Sequence, residues 1–150
     1  MSAYQTVVVG TDGSDSSFRA VERAAAIAAD AGATLVIASA YQPRAGREVE
    51  RAQDALGADV GYQVVGSTPA EESVRTAAER ARRVGATKVD TVVVAGDPVP
   101  ALAEVVAERG ADLLVIGNRG LNTLAGRILG SVPAEAARKS TVDVLIVHTT

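Results

Sequence analysis

Five stretches of this chain carry large apolar residues on consecutive positions, and this pattern constrains the fold more than any other feature. They run Gln5 to Val9, Thr34 to Ala38, Lys88 to Ala95, Asp112 to Ile116 and Val142 to Val147. A strand with one wet face alternates apolar and polar residues with a period of two. Val7-Val8-Val9 and Leu113-Leu114-Val115-Ile116 instead demand burial on both faces. Such strands belong in a parallel sheet, and parallel neighbours need a crossover between them, usually a helix.

The intervening segments supply those helices. An Ala-rich run from Asp15 to Ala31 keeps Phe18, Val21 and Ala25 on one stripe and stops at Gly32. A second helix begins at Ser67-Thr68-Pro69, with Thr68 as its cap and Pro69 in the first helical position, and stops at Gly85. A third follows Asp97-Pro98 and stops at Gly110, and a fourth runs from Ser131 to about Lys139. Strands alternating with helices of this length predict an α/β fold, a doubly wound five-stranded parallel sheet with helices on both faces. Residues 42–67 hold Pro43, several glycines and mixed charges without a period, and read as an insertion or flexible loop within a single domain spanning 1–150.

Composition narrows the chemistry. At 150 residues and 47% hydrophobic, the chain buries a core without disulfide or metal support. It has no cysteine and one histidine, His148, which excludes a disulfide framework, thiol catalysis and a Cys or His zinc site. Fifteen basic against 18 acidic residues leave a net charge of -3, the wrong sign for a nucleic-acid footprint. Three Tyr, one Phe and no Trp offer few stacking platforms for a single strand. No apolar stretch approaches the ~18 residues of a membrane span, and the opening MSAYQTVVVG lacks the regions of a signal peptide. The expectation is a cytoplasmic protein without nucleic-acid or membrane partners.

The most specific motif is Gly117-Asn118-Arg119-Gly120, followed after nine residues by Gly130-Ser131, directly after the fourth strand and opening the fourth helix. Glycines let backbone approach an anion closely, and free N–H groups at a helix start carry partial positive charge. Arg119 and Arg127 add charge-assisted donors for phosphate oxygens. The plain alternative is that the glycines serve turns alone. A second loop, Gly10-Thr11-Asp12-Gly13-Ser14-Asp15-Ser16-Ser17, joins the first strand to the first helix. It is acidic and repels phosphate, so it suits hydroxyls, with Asp12 as acceptor from a ribose. Ser14 or Asp15 reads more simply as the helix cap. If the first and fourth strands are neighbours, the two loops face each other across the crevice at the carboxyl ends of the strands and form a mononucleotide site. Ser39-Ala40-Tyr41, ending the second strand, forms a further wall on which backbone reads a base edge.

Other fingerprints are missing. Neither lysine, Lys88 or Lys139, sits in a Walker loop, no G-x-G-x-x-G follows the first strand, and there is no G-x-S-x-G elbow. His148 reads as a surface or interface residue, and Asp97 as a helix cap rather than a magnesium ligand. No catalytic residue and no metal ligand is assigned. The last strand, Val142 to Val147, has one charge and no proline, and as an apolar sheet edge it predicts a two-fold homodimer.

Val7-Val8-Val9-Gly10-Thr11-Asp12-Gly13-Ser14, Gly96-Asp97-Pro98 and Gly117-x2-Gly120-x9-Gly130-Ser131 together resemble the universal stress protein family, in its small single-domain actinobacterial form with the nucleotide-binding glycine motif. The resemblance covers nearly the whole chain. It implies strand order 3-2-1-4-5, a homodimer through the last strand, and an adenine-nucleotide-binding regulator or reservoir rather than an efficient enzyme. It implies that Asp12 meets the ribose, that Ala40 offers backbone to adenine, and that Gly117, Arg119, Gly120, Gly130, Ser131 and Val132 surround phosphates; Thr11 beside Asp12 and Arg127 of the glycine-rich loop complete the expected nucleotide-binding set. The implied ligand is ATP, with or without Mg2+, and slow hydrolysis or self-phosphorylation is the enzymatic alternative. Pro133 stands where the family often has Ser or Thr, removing a hydroxyl and an N–H. Because some mycobacterial members with this whole-chain pattern bind cyclic AMP, the resemblance implies a single-phosphate ligand of that kind as the alternative.

Overall fold

The computed structural model describes residues 2–42, 67–119 and 131–149. The body of the expected 42–67 insertion therefore lies outside the described residues. In chain order the elements are β1 (Thr6–Gly10), α1 (Asp15–Ala31), β2 (Thr34–Tyr41), α2 (Thr68–Val84), β3 (Val89–Ala95), α3 (Pro98–Arg109), β4 (Leu113–Gly117), α4 (Ser131–Lys139) and β5 (Asp143–Val147). The strands form one sheet in the order 3-2-1-4-5, and every pairing is parallel.

The helix punctuation follows local chemistry. Ser14 caps α1, its Oγ accepting the Ser17 N–H at 3.1 Å, and Gly32 ends it in the left-handed region at φ 67°. A Cβ-bearing residue enters that region only with strain. At α2 the cap is Ser67 and not Thr68, which is the first helical residue. Ser67 makes no side-chain cap bond. Pro69 occupies the first turn and lacks the N–H that a cap would serve there. Asp97 precedes α3 in an extended conformation, as expected of a cap, yet its carboxylate accepts from Gln42 Nε2 at 3.3 Å and from no helix N–H.

Consecutive apolar residues in the strands divide between two cores. Val7, Val9, Leu35, Ile37, Leu113 and Val115 pack with α1 and α2, while Val8, Val36, Ala38, Leu114 and Ile116 pack with α3 and α4. β1 is the hinge of this plan. Strands are added outward to β2 and β3 with helices on one face, then to β4 and β5 with helices on the other, so the winding reverses beside β1. At the amino ends of the strands, Asp112 accepts the N–H groups of Gln5 and Thr6 at 2.9–3.2 Å and ties β1 to the turn before β4. β5 lies at the sheet edge, as its sequence suggested, with Ile146 42% exposed.

Ile37 sits fully buried at the centre of the α1/α2 layer. Ile37→Ala is expected to lower unfolding free energy by about 2–5 kcal/mol, because it removes buried methyl groups and leaves a cavity. Val84→Ala, on an exposed side chain, is expected to change it by less than about 0.5 kcal/mol. Urea denaturation of the two variants checks the contrast.

Candidate functional site

The crevice begins where β1 stops. Gly10 is level with Ala38, whereas β2 continues through Ser39 and Ala40 to Tyr41. Backbone groups of a strand point alternately to its two neighbours. Thr34 and Ala38 bond toward β1, while Leu35 and Tyr41 bond toward β3. The N–H and C=O of Ala40 therefore turn to the β1 side. The last rung there is Thr11 N–H to Ala38 C=O at 2.9 Å, and among the described residues none follows it. Ala40 thus presents a donor and an acceptor above the end of β1.

The β1–α1 loop is held by hydroxyls. Ser17 Oγ donates to the Ser14 C=O at 2.9 Å, so the proton between Ser17 and Thr11, 2.7 Å apart, comes from Thr11. Thr11 Oγ1 in turn accepts the Gly13 N–H at 3.1 Å. Both hydroxyl residues are buried, and Thr11 is engaged within the loop. This frame sets the direction of Asp12. Its Oδ1 accepts the Ser14 N–H at 2.9 Å, forming a turn of the Asx type, while its Oδ2 is buried and has no partner among the described residues.

Asp12 faces a cavity of about 150 Å³ whose other walls are Ser39, Ala40 and Tyr41 of β2 and Pro69, Ala70 and Ser73 of α2. The sequence pointed to Asp12, Ala40 and Tyr41. It also named Ser39, which is 3% exposed, as part of that wall, and it missed the α2 wall, for which no spacing rule exists. Gly13 has φ 85°, and a Cβ there would overlap Ser73 Oγ, which is fixed by its own bond to the Pro69 C=O at 2.9 Å. The missing side chain lets the loop close against α2.

Across β1, Gly117 ends β4 and is buried. A Cβ added to it would come 3.4 Å from Thr149 Cγ2. Asn118 follows, then Arg119, which is exposed. Gly120, Arg127 and Gly130 lie outside the described residues. Ser131 and Val132 open α4, with Pro133 buried in its first turn. β1 and β4 are paired neighbours, so the starts of both loops do lie side by side at the carboxyl ends of the strands. His148 is exposed, its Nδ1 3.4 Å from Asn118 Nδ2. Among the described residues, no group of three or more His, Asp or Glu is placed to hold a metal ion, and no helix is long and apolar enough to cross a membrane.

A model described as the universal stress protein family matches residues 3–148. A universal stress protein of Mycobacterium tuberculosis is 57% identical over 150 residues, covering 100% of both chains. A universal stress protein solved in complex with cAMP is 51% identical, with a TM-score of 0.75 over 99% of this chain and 100% of that one. The universal stress protein of Archaeoglobus fulgidus in complex with dAMP, 21% identical, shares the fold with a TM-score of 0.70 over 96% of this chain and 98% of its own.

Gly13→Ala is expected to destabilise the protein by about 1–3 kcal/mol, combining positive φ with the overlap on Ser73. Ser73→Ala in the same chain should return part of that loss, since it removes the atom that is met first. A double-mutant cycle on unfolding free energies checks the coupling.

Proposed function

The chain belongs to the universal stress protein family, and we propose that its crevice binds an adenine nucleotide, with cyclic AMP the preferred ligand and ATP the second reading. The observation that carries this is Asp12 Oδ2, a buried carboxylate oxygen that lines the cavity without a donor among the described residues. A desolvated acceptor of this kind costs free energy until a donor reaches it. A ribose hydroxyl is such a donor. Ala40, with its backbone groups directed above β1, takes the polar edge of adenine, and Thr11 acts through the shape it gives the loop.

On the other side, Gly117, Arg119, Gly120, Arg127, Gly130, Ser131 and Val132 are the proposed phosphate surround, using backbone N–H groups and guanidinium charge. Two observations favour one phosphate over three. The 51% identical structural neighbour is in complex with cAMP. Pro133 also withholds an N–H and a hydroxyl from the first turn of α4. In this reading the protein is a stress-response regulator or a second-messenger sink, working as a homodimer through Val142 to Val147. The ATP reading rests on the spacing of the glycine motif, and with it comes slow hydrolysis as the enzymatic possibility.

Isothermal titration of nucleotide-free protein with cyclic AMP, and in parallel with ATP plus magnesium, tests the proposal. Cyclic AMP is expected to bind more tightly, and Asp12→Asn, which puts a donor where an acceptor is needed, should weaken both ligands by about tenfold or more. Tighter ATP binding, with phosphate release that scales with protein and needs magnesium, would replace the first reading by the second. Heats indistinguishable from dilution for both ligands would overturn the nucleotide site.

A further inference from the structure

We propose that Thr149 is a positioning residue for the glycine-rich loop, fixing the direction in which the chain leaves β4 and so setting affinity for the phosphate part of a ligand. The inference rests on the nucleotide reading above and adds a residue that lies outside the glycine motif.

Asn118, the second residue of that motif, is anchored from beyond its own loop. Its N–H donates to the Val147 C=O at 2.8 Å, and its Oδ1 accepts both the N–H and the hydroxyl of Thr149, each at 2.9 Å. The Thr149 N–H can only donate, so the amide atom facing it is the oxygen. That oxygen can only accept, which commits the Thr149 hydroxyl proton to Asn118. Ser16 Oγ is then the donor in its 2.6 Å contact with Thr149 Oγ1. Arg19 Nη1 completes the set, donating to the Thr149 C=O at 2.6 Å.

Every polar atom of Thr149 is thus satisfied, by groups from α1 and from the start of the loop. The residue is 3% exposed, while His148 before it is exposed. Thr149 continues the alternation of the last strand, with Val147 inward and His148 outward, so its hydroxyl is carried into the α1 side of the sheet and needs partners there. Its Cγ2 packs beside Gly117, 3.4 Å from where a Cβ on that residue would stand. The polar contacts do more than fill space. They hold the Asn118 side chain and main chain at once, and leave one peptide between that anchor and Arg119. A loop whose N–H groups must converge on an anion gains affinity when its entry is fixed beforehand.

The test uses the whole chain, with Thr149→Val, which keeps the shape and removes the hydroxyl, and Thr149→Ser, which keeps the hydroxyl. Cyclic AMP, ATP and adenosine are titrated into each, and thermal midpoints are recorded alongside. Thr149→Val is expected to weaken cyclic AMP and ATP by about tenfold while changing adenosine by less than about twofold. Thr149→Ser should stay within about twofold of the parent for all three. No loss in Thr149→Val, an equal loss for adenosine, or a loss in Thr149→Ser as large as in Thr149→Val would each overturn the inference, because a role confined to stability makes no distinction by phosphate. A parent protein that binds none of the three would instead overturn the nucleotide reading itself, before any variant is considered.

Discussion

Burial of β1 on both faces governs the rest of the molecule. Val7 and Val9 point into the layer beneath α1 and α2, Val8 into the layer beneath α3 and α4, and β2 and β4 close its two edges. A strand enclosed on all four sides leaves the chain no way to continue except through its ends. The carboxyl end opens between crossovers that depart to opposite faces, and a gap is left there that no helix among the described residues covers. The site is therefore a product of the winding, and the loop residues furnish what the winding leaves open.

Within that gap the polar groups are allocated with little slack. Thr11, Ser14 and Ser17 satisfy one another and the loop backbone, which leaves a single carboxylate oxygen of Asp12 facing the cavity. A loop with more free groups would be solvated and mobile. In this one the hydroxyls bond inward, and those bonds fix the direction of the remaining acceptor. The same division holds across β1, where Thr149 and Ser16 are bound to Asn118 and to each other while Arg119 stands free of described partners.

Much of this was legible in the sequence, for identifiable reasons. Consecutive Val and Leu residues announced two-sided strands, and Gly32, Gly85 and Gly110 marked helix ends because each takes positive φ there. The reading of α1 as Asp15 to Ala31 coincides with the structure. Family resemblance supplied the strand order, since the residues alone made the β1–β4 neighbourhood only a condition. What stayed hidden was long range. Ser73 meets Gly13 across two elements, and Thr149 meets Asn118 and Ser16 over 31 and 133 positions, so no local period records either contact. The capping of α2 was misread by one residue because Pro69 fits two adjacent helix positions equally well.

The sheet also acts as a partition. No buried residue belongs to both hydrophobic clusters, and the two lie on opposite sides of the same strands. The cavity wall formed by Asp12, Pro69, Ala70 and Ser73 is carried by α2 and the loop before α1, on one side of that partition. Substitutions among Val99, Leu102 and Val105 on the other side can accumulate, or be chosen, to tune how firmly the molecule holds together while the wall around Asp12 keeps its shape. The Asp12 wall and the α3 layer are thereby separated by the sheet, and a lineage can change one without renegotiating the other.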